Sequence, residues 1–201
     1  MKRKLLSLAA IMVATFSLNA QVGNYAVGDD VADFTITDVH GVTHNLSTYT
    51  NAGKWVILDF FFVACPPCQA TVPIFSELHE KYGCNAGDLV CISVDTGDDN
   101  AAVLGFESTY SESTGFSPAP AASGTEGGGD AVVTAFGIGA YPTYCLIGAD
   151  QKLKSGDIWP LGSVGDFEAA FTSAGFAPTI MSCTNGIEEN VLLNDIVVYP
   201  N

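Results

Sequence analysis

Two cysteines separated by two prolines, Cys65 and Cys68, are the residues of this sequence best suited to chemistry. They follow an apolar run and precede apolar residues at helical spacing, so Cys65 is expected at the N-terminus of a helix. Free N–H groups and the helix dipole favour an anion there and lower the pKa of a thiol. The spacing also brings Cys68 beside Cys65. The pattern predicts a redox dithiol in which Cys65 attacks a disulfide and Cys68 resolves the mixed disulfide.

Pro66 and Pro67 fit the first helical turn, where a missing N–H costs nothing. They remove two donors near the thiolate, so we predict a reducing rather than a strongly oxidising pair. A zinc site is the weaker alternative, because the other four cysteines form no second CxxC pair. A purely structural disulfide would close too small a loop to stabilise the fold much.

Asp59 is the one charged residue in the apolar run Trp55 to Val63. That run predicts a buried central strand, and burial should raise the pKa of an unpaired carboxyl. Asp59 precedes Cys65 by six residues, so it is expected beneath the dithiol, where it could exchange a proton with Cys68. The alternative is a strand-end aspartate that faces water.

Apolar periodicity and turn residues predict the remaining elements. In chain order these are a hairpin over 31–46, the strand 55–63, a helix after Cys68 that Gly83 closes, a strand over 88–94, a helix over 101–110, a loop over 111–130, a helix over 131–136, strands over 144–147 and 152–159, and a helix over 164–174. The loop is interpreted as a flexible excursion or part of a substrate surface. His40 and His44 in the hairpin are expected to be solvated. This order predicts an α/β sandwich with a mixed sheet.

Residues 1–20 have a basic start, an apolar run and the small residue Ala20, as a cleaved signal peptide does. An uncleaved membrane anchor is the alternative, although the apolar run is short for a span. After cleavage, four basic residues face 22 acidic residues, a formal charge of −18. Such a surface repels nucleic acid, so neither nucleic acid nor, once the signal is removed, a membrane is an expected partner.

Four stretches together resemble exported thioredoxin-like proteins of the TlpA-type thiol–disulfide oxidoreductases. They are VADFTITDVHGVTHNL, WVILDFFFVACPPC, DLVCISVD and FGIGAYPTYCLIGADQK, and the resemblance covers about residues 27–177. It implies a three-layer sandwich with a mixed central sheet and an added N-terminal β-hairpin, in a domain spanning 21–177. It also implies that a partner protein's disulfide is reduced or isomerised without cofactor or metal, with electrons from an unidentified donor.

The resemblance also implies roles for particular residues. Cys65 matches the exposed nucleophile, Cys68 the resolving thiol, Asp59 the buried acid, Pro142 a cis-proline facing the dithiol and Tyr141 a substrate contact, with Pro66 and Pro67 also placed at the substrate-binding surface. The family usually has tryptophans before the first cysteine. Here Phe61, Phe62, Val63 and Ala64 stand there, which alters the surface beside Cys65.

The other four cysteines are predicted to differ in whether they form disulfides. In a thioredoxin-like sheet, Cys91 and Cys145 would lie on strands either side of the central one, too far apart to bond, and are interpreted as buried free thiols. Cys84 and Cys183 lie in or near loops and could pair in an oxidising compartment.

The segment 184–201, ending in Tyr-Pro-Asn, resembles the start of a C-terminal sorting domain of the type IX secretion system. Residues 178–201 are therefore interpreted as a linker and the start of that domain, which would place the protein at the cell surface or outside the cell. Without that resemblance the tail is an ordinary one and the exported protein is periplasmic.

Two other functions remain open from the sequence. A peroxiredoxin-like peroxidase needs a threonine three positions before the attacking cysteine, where Phe62 stands. A non-catalytic surface module would keep the two cysteines permanently oxidised.

Overall fold

The computed structural model describes residues 22–183 of the chain. Its strands are β1 (Thr35–Thr37), β2 (Thr43–Asn45), β3 (Trp55–Phe61), β4 (Leu89–Asp95), β5 (Ala121–Ala122), β6 (Thr143–Ile147) and β7 (Leu153–Ser155). Its α-helices are α1 (Leu46–Asn51), α2 (Pro66–Lys81), α3 (Asn100–Phe106), α4 (Gly129–Phe136) and α5 (Val164–Ser173). The predicted signal peptide over 1–20 and the segment 184–201 lie outside these described residues.

The central sheet has the order β5-β4-β3-β6-β7. β3 pairs in parallel with β4, and β4 in parallel with β5, as crossover connections through helices require. β6 is antiparallel to both β3 and β7. The predicted mixed sheet with an antiparallel edge is confirmed, although β7 is shorter than the predicted strand over 152–159.

The alternation along β3 separates the two faces of this sheet. Val56, Leu58 and Phe60 belong to a core shared with α4 and the β1–β2 hairpin. Ile57 belongs to a core shared with α2 and α5, and Phe61 lies in a cluster with both active-site cysteines. Helices therefore cover both faces, and the three-layer sandwich is confirmed.

The N-terminal hairpin is present but smaller than predicted. β1 and β2 pair over three residues each, and Gly41 turns the chain between them with φ +85°. The six residues after β2 form α1, which the sequence analysis did not predict. The side chain of Asn45 caps α1 by accepting the N–H of Thr48.

His44 is buried, so the prediction that it is solvated was wrong. Its Nε2 lies 2.9 Å from Asp38 Oδ2 and its Nδ1 lies 2.6 Å from the Tyr49 hydroxyl. Asp38 Oδ1 also accepts the N–H groups of His40 and Val42, at 3.0 and 2.9 Å. Asp38 thus holds the hairpin turn together, and His44 forms part of its support.

The segment 111–130 is more ordered in its backbone than predicted. It contains a 3₁₀ turn over Glu112–Thr114, the strand β5 and the start of α4. Ala121 and Ala122 are buried in the sheet, so the segment is not the continuous loop that was predicted. The preceding predicted helix divides into α3 and a π-helical turn over Glu107–Ser111.

The four other cysteines fall into two pairs with different roles. Cys91 on β4 and Cys145 on β6 are buried free thiols on opposite sides of β3, as predicted. Cys84 and Cys183 form a disulfide, with their Cα atoms 5.1 Å apart.

Among residues 22–183, no helix is both long enough and apolar enough to cross a membrane.

Candidate active site

Cys65 is the N-cap residue of α2 and is disulfide-bonded to Cys68, with the Cα atoms 5.2 Å apart. The backbone N–H of Cys68 donates to Cys65 Sγ at 3.2 Å. Pro66 and Pro67 occupy the first two helical positions. The sequence therefore placed the pair correctly. A thiolate at Cys65 in this geometry would gain from a backbone donor and from the helix dipole.

Cys65 is not exposed in the disulfide-bonded chain. Its exposed fraction is 1%, and that of Cys68 is 2%. The exposed nucleophile implied by the resemblance was therefore wrong for this state. The reason is packing, because apolar side chains from four regions lie against the cluster that holds both cysteines. They are Val39 of the hairpin, Phe62 and Val63 before the dithiol, Tyr110 of the π-helical turn and Tyr141.

The Tyr141–Pro142 peptide bond is cis, as the resemblance implied. The Tyr141 ring meets the Phe62 ring edge to face, with centroids 5.4 Å apart. Phe62 and Tyr141 thus form one aromatic rim on the cluster that contains the dithiol. A second cis bond, Trp159–Pro160, was not anticipated from the sequence.

Asp59 is buried on the α2 side of β3, between Ile57 and Phe61, so the alternative of a water-facing carboxylate was wrong. Its Oδ2 accepts the Ser93 hydroxyl at 3.2 Å. Burial raises the pKa of Asp59 to about 7, against the opposing effect of hydrogen bonds with Ser93 and Tyr144.

The contacts of Asp59 also place it near the dithiol. It lines a small cavity together with Val72 of α2, which lies one helical turn after Cys68. The Phe61 side chain, the next on the same face of β3, packs in the cluster of the two cysteines. Asp59 therefore lies beneath the part of α2 that carries Cys68.

A chain of hydroxyl groups ties β6 to the first turn of α2. The Tyr144 hydroxyl donates to Thr71 Oγ1 at 2.8 Å. Thr71 Oγ1 in turn lies 3.1 Å from the carbonyl oxygens of Pro67 and Cys68. The sequence analysis missed this support, because Tyr144 and Thr71 lie 73 residues apart and nothing in their spacing connects them.

Two aspartates at the carboxyl end of β4, its last residue Asp95 and the nearby Asp98, hold the loop that leads to the dithiol. Asp98 Oδ2 accepts the N–H of Val63 at 2.9 Å. Asp95 Oδ2 accepts the N–H groups of Asp98 and Gly124, at 3.1 and 3.0 Å. Burial raises the pKa of Asp95 to about 7. The sequence analysis missed both, although acidic residues at the carboxyl end of a buried strand are a usable signal of a site.

The described residues, 22–183, contain no group of three or more His, Cys, Asp or Glu side chains placed to hold a metal ion.

Comparison with known proteins gives consistent results. A curated relative, the thiol-disulfide oxidoreductase ResA of Geobacillus thermodenitrificans, is 30% identical over 129 residues, which are 64% of this chain and 67% of the relative. Among solved structures, a thiol:disulfide interchange protein of the thioredoxin family from Chlorobium tepidum superposes with a TM-score of 0.58 at 21% identity, over 74% of this chain and 97% of that one. A secreted disulfide oxidoreductase of Mycobacterium tuberculosis gives 0.52 at 20% identity, over 71% and 96%.

The fold and the dithiol thus define the class, a thiol–disulfide oxidoreductase with a thioredoxin-like fold, and this prediction is confirmed. The model of the AhpC/TSA family matches residues 27–155, and the chain belongs to that family.

Proposed function

We propose that this chain reduces disulfide bonds of partner proteins outside the cytoplasm, through a mixed disulfide on Cys65. One observation carries the proposal. Cys65 caps α2, is disulfide-bonded to Cys68 and has Asp59 buried beneath the same helix. The similarity to a curated thiol-disulfide oxidoreductase supports the same chemistry.

The reaction starts from the reduced dithiol. The Cys65 thiolate attacks one sulfur of the substrate disulfide, that S–S bond breaks, and the other substrate sulfur leaves as a thiolate that takes a proton from solvent. Cys68 then gives its proton to Asp59, and its thiolate attacks Cys65 Sγ. The second substrate thiolate leaves, and the Cys65–Cys68 disulfide forms. The donor protein, whose identity the site does not specify, later reverses these steps.

The substrate surface in this proposal is the rim formed by Phe62, Tyr141 and Pro142, with Pro66 and Pro67 opposite. The rim is largely apolar and aromatic, which suits an unfolded or extended peptide segment. Phe62 and Tyr141 pack against the cluster that holds both cysteines, and Cys65 is buried in the disulfide state, so substrate binding requires these rings to move.

We propose a reducing rather than an oxidising role for two reasons. Pro66 and Pro67 leave the first turn of α2 with fewer N–H donors toward the thiolate. Asp59, buried with a raised pKa, disfavours a second negative charge beside the dithiol. Both features destabilise the thiolate, so the potential should lie nearer about −270 mV than about −120 mV.

Export is part of the proposal and has two supports. Residues 1–20 have the composition of a signal peptide. The Cys84–Cys183 disulfide is remote from the dithiol along α2, and structural disulfides persist mainly in oxidising compartments. Delivery by type IX secretion, proposed from the resemblance of 184–201, concerns residues beyond those described.

Trapping tests the function directly. Cys68→Ser should accumulate mixed disulfides with proteins of the exporting cell, each linked to Cys65 and released by dithiothreitol. Cys65→Ser and the double variant are the matched controls and should trap nothing. Equal recovery of proteins by Cys68→Ser and by the double variant would contradict the proposal, as would failure of the reduced wild type to reduce insulin.

A further inference from the structure

A small cavity separates Asp59 from a second buried carboxyl group, Glu107 of the π-helical turn. The cavity has a volume of about 20 Å³, enough for one water molecule. It is lined by Asp59, Phe61, Val72, Phe75, Ser76, Ser93, Phe106, Glu107, Ser111, Ala119 and Ala121. Its polar groups are two carboxyls and three serine hydroxyls, a set that can hold a water molecule by hydrogen bonds.

Each carboxyl group has one buried oxygen without a hydrogen-bond partner in the protein. These atoms are Asp59 Oδ1 and Glu107 Oε1. Both side chains are about 95% buried. Buried carboxyl oxygens are normally paired with protein or with ordered water, so a water molecule in the shared cavity would satisfy both.

The other side of Glu107 leads to solvent. Its Oε2 lies 2.7 Å from His40 Nε2 at the tip of the hairpin. The His40 side chain is 55% exposed, whereas that of Glu107 is 6% exposed. The imidazole can accept a proton on Nε2 and release one from Nδ1.

We propose that Glu107 and His40 form a proton path that joins Asp59 to solvent through one water molecule held in this cavity. The proposal rests on the proposed function, because the proton it carries is the one that Asp59 takes from Cys68.

The transfer balances without any added reagent. Protonated Asp59 donates to the water. The water donates one of its own protons to Oε1 of protonated Glu107 as the proton on Oε2 passes to His40 Nε2, and the imidazolium loses its Nδ1 proton to solvent. Rotation of the Glu107 carboxyl group and proton exchange of the imidazole with solvent restore the starting arrangement. Asp59 returns to the carboxylate, ready for the next turnover. Reduction of the disulfide by a donor would use the same steps in reverse.

The charged surroundings fit such a path. The titratable groups that face Glu107 are His40, Asp38, Glu112 and, across the cavity, Asp59, and those that face Asp59 are Tyr144 and the dithiol on α2. Burial raises the pKa of Glu107, against the opposing effects of its hydrogen bond with His40 and of the charge on that ring. Two carboxyls with raised pKa values exchange a proton more readily than one raised and one ordinary group would.

Proton exchange at Asp59 can be measured in the disulfide-bonded protein, so the test does not depend on activity. The carboxyl resonance of Asp59 would be followed by NMR on protein with isotope-labelled aspartate, and assigned with Asp59→Asn. Positioned proton-transfer groups contribute at least about a hundredfold in many enzymes, so we expect Glu107→Gln to slow exchange at Asp59 by at least about tenfold. Glu77→Gln, the same change at an exposed acid of α2 that does not line the cavity, is the matched control and should leave exchange unchanged.

His40→Gln provides a second, independent arm, because its exposed position makes loss of folding a smaller risk than at Glu107. We expect it to slow exchange, and added imidazole to restore the rate. Imidazole should not restore Glu107→Gln, whose missing group is buried.

Wild-type exchange rates in both variants would overturn the path, and so would slowing in His40→Gln that imidazole does not reverse. Because exchange is measured without substrate, slowed exchange in a protein that traps no partners would refute the proposed function but not the path. Normal exchange in both variants of a protein that does trap partners would refute only the path.

Discussion

The Ser93 hydroxyl on β4 donates to Asp59 Oδ2 on β3 at 3.2 Å, across paired strands in which these two residues are direct register partners. Asp59 Oδ1, the other oxygen of this carboxyl group, has no hydrogen-bond partner in the protein. Burial is therefore the main cause that raises the pKa of Asp59, and hydrogen bonds with Ser93 and Tyr144 lower it in part. Two of the predictions below concern this balance.

The first prediction is that Asp59→Asn changes how stability depends on pH. The pKa of Asp59 rises from 3.8 to about 7 on folding, so its contribution to stability is fully present below about pH 4 and is lost as pH rises through 7. Each tenfold change in proton affinity is worth about 1.4 kcal/mol. Between pH 4 and pH 8 the wild type should therefore lose up to about 4 kcal/mol of unfolding free energy that Asp59→Asn does not lose. Urea unfolding of the oxidised proteins would measure it.

The control for that prediction is Asp33→Asn, for which the sign is reversed. A hydrogen bond from Asn45 is the main cause that lowers the pKa of the exposed Asp33 carboxyl, so its contribution is present at neutral pH and lost on acidification. A difference between Asp59→Asn and wild type that is the same at both pH values would contradict the first prediction.

The second prediction concerns Ser93→Ala. Loss of the hydroxyl removes a group that lowers the pKa of Asp59, so this pKa should rise above about 7. The pH profile of the resolving step, in which Cys68 attacks Cys65, should shift to higher pH by the same amount. An NMR titration of the Asp59 carboxyl gives the value. Ser76→Ala, at a buried serine of the same cavity, is the matched control and should shift it less. An unchanged or lower pKa in Ser93→Ala would count against the assignment.

The third prediction is that Tyr141→Ala has opposite effects on large and small reactants. The ring is part of the proposed substrate rim, so kcat/KM for a protein disulfide should fall by about tenfold, equivalent to about 1.4 kcal/mol. The ring also packs against the cluster in which Cys65 is buried, so reduction of the Cys65–Cys68 disulfide by dithiothreitol should become faster. Insulin reduction and a small-thiol rate constant measure the two effects.

Tyr110→Ala separates these roles, because Tyr110 packs on the same cluster from the π-helical turn. It should speed the small thiol without the loss against insulin. If both rates moved together in Tyr141→Ala, the ring would serve only the packing of the site.

The fourth prediction concerns the Cys84–Cys183 disulfide, which spans 99 residues of sequence. Closing a loop of that length restricts the unfolded chain, so Cys84→Ser with Cys183→Ser should lower the free energy of unfolding by up to about 4 kcal/mol. Urea unfolding measures the change. The Cys65–Cys68 disulfide, with a sequence separation of 3, closes a far smaller loop. Replacing both of its cysteines by serine should therefore lower the free energy of unfolding much less. Similar losses for the two pairs would refute this account.

The parts of the site that the sequence predicts are local ones. Cys65 and Cys68 sit on one helical turn, and Asp59 is conspicuous as the single charge in an apolar strand, so both can be recognised from spacing and composition. The contacts that position them join distant segments. Tyr144 reaches Thr71 across 73 residues, and Asp98 reaches Val63 across 35. No local pattern encodes such contacts, because only the packed layers bring the two segments together.

The fold shows the same division. β3 and β4 are long apolar runs and were predicted, whereas β5 consists of two alanines that become a strand because Ser93 and Val94 of β4 offer partners. α1 was missed because its six residues are mostly polar and its length is below what periodicity can reveal. The exposure expected for Cys65 was wrong because its cover comes from the hairpin, the π-helical turn and the Tyr141 segment, which are remote in sequence.

The position of the second disulfide fixes where the rest of the chain leaves the domain. Cys84 lies just beyond the last turn of α2, and Cys65 caps the first turn, so the 16 residues of α2 separate them by about 24 Å along the helix axis. The chain that follows Cys183 is thus attached at the end of the domain opposite the dithiol. Any tether joined there would leave the reactive end of the domain pointing away from its point of attachment, free to meet incoming proteins.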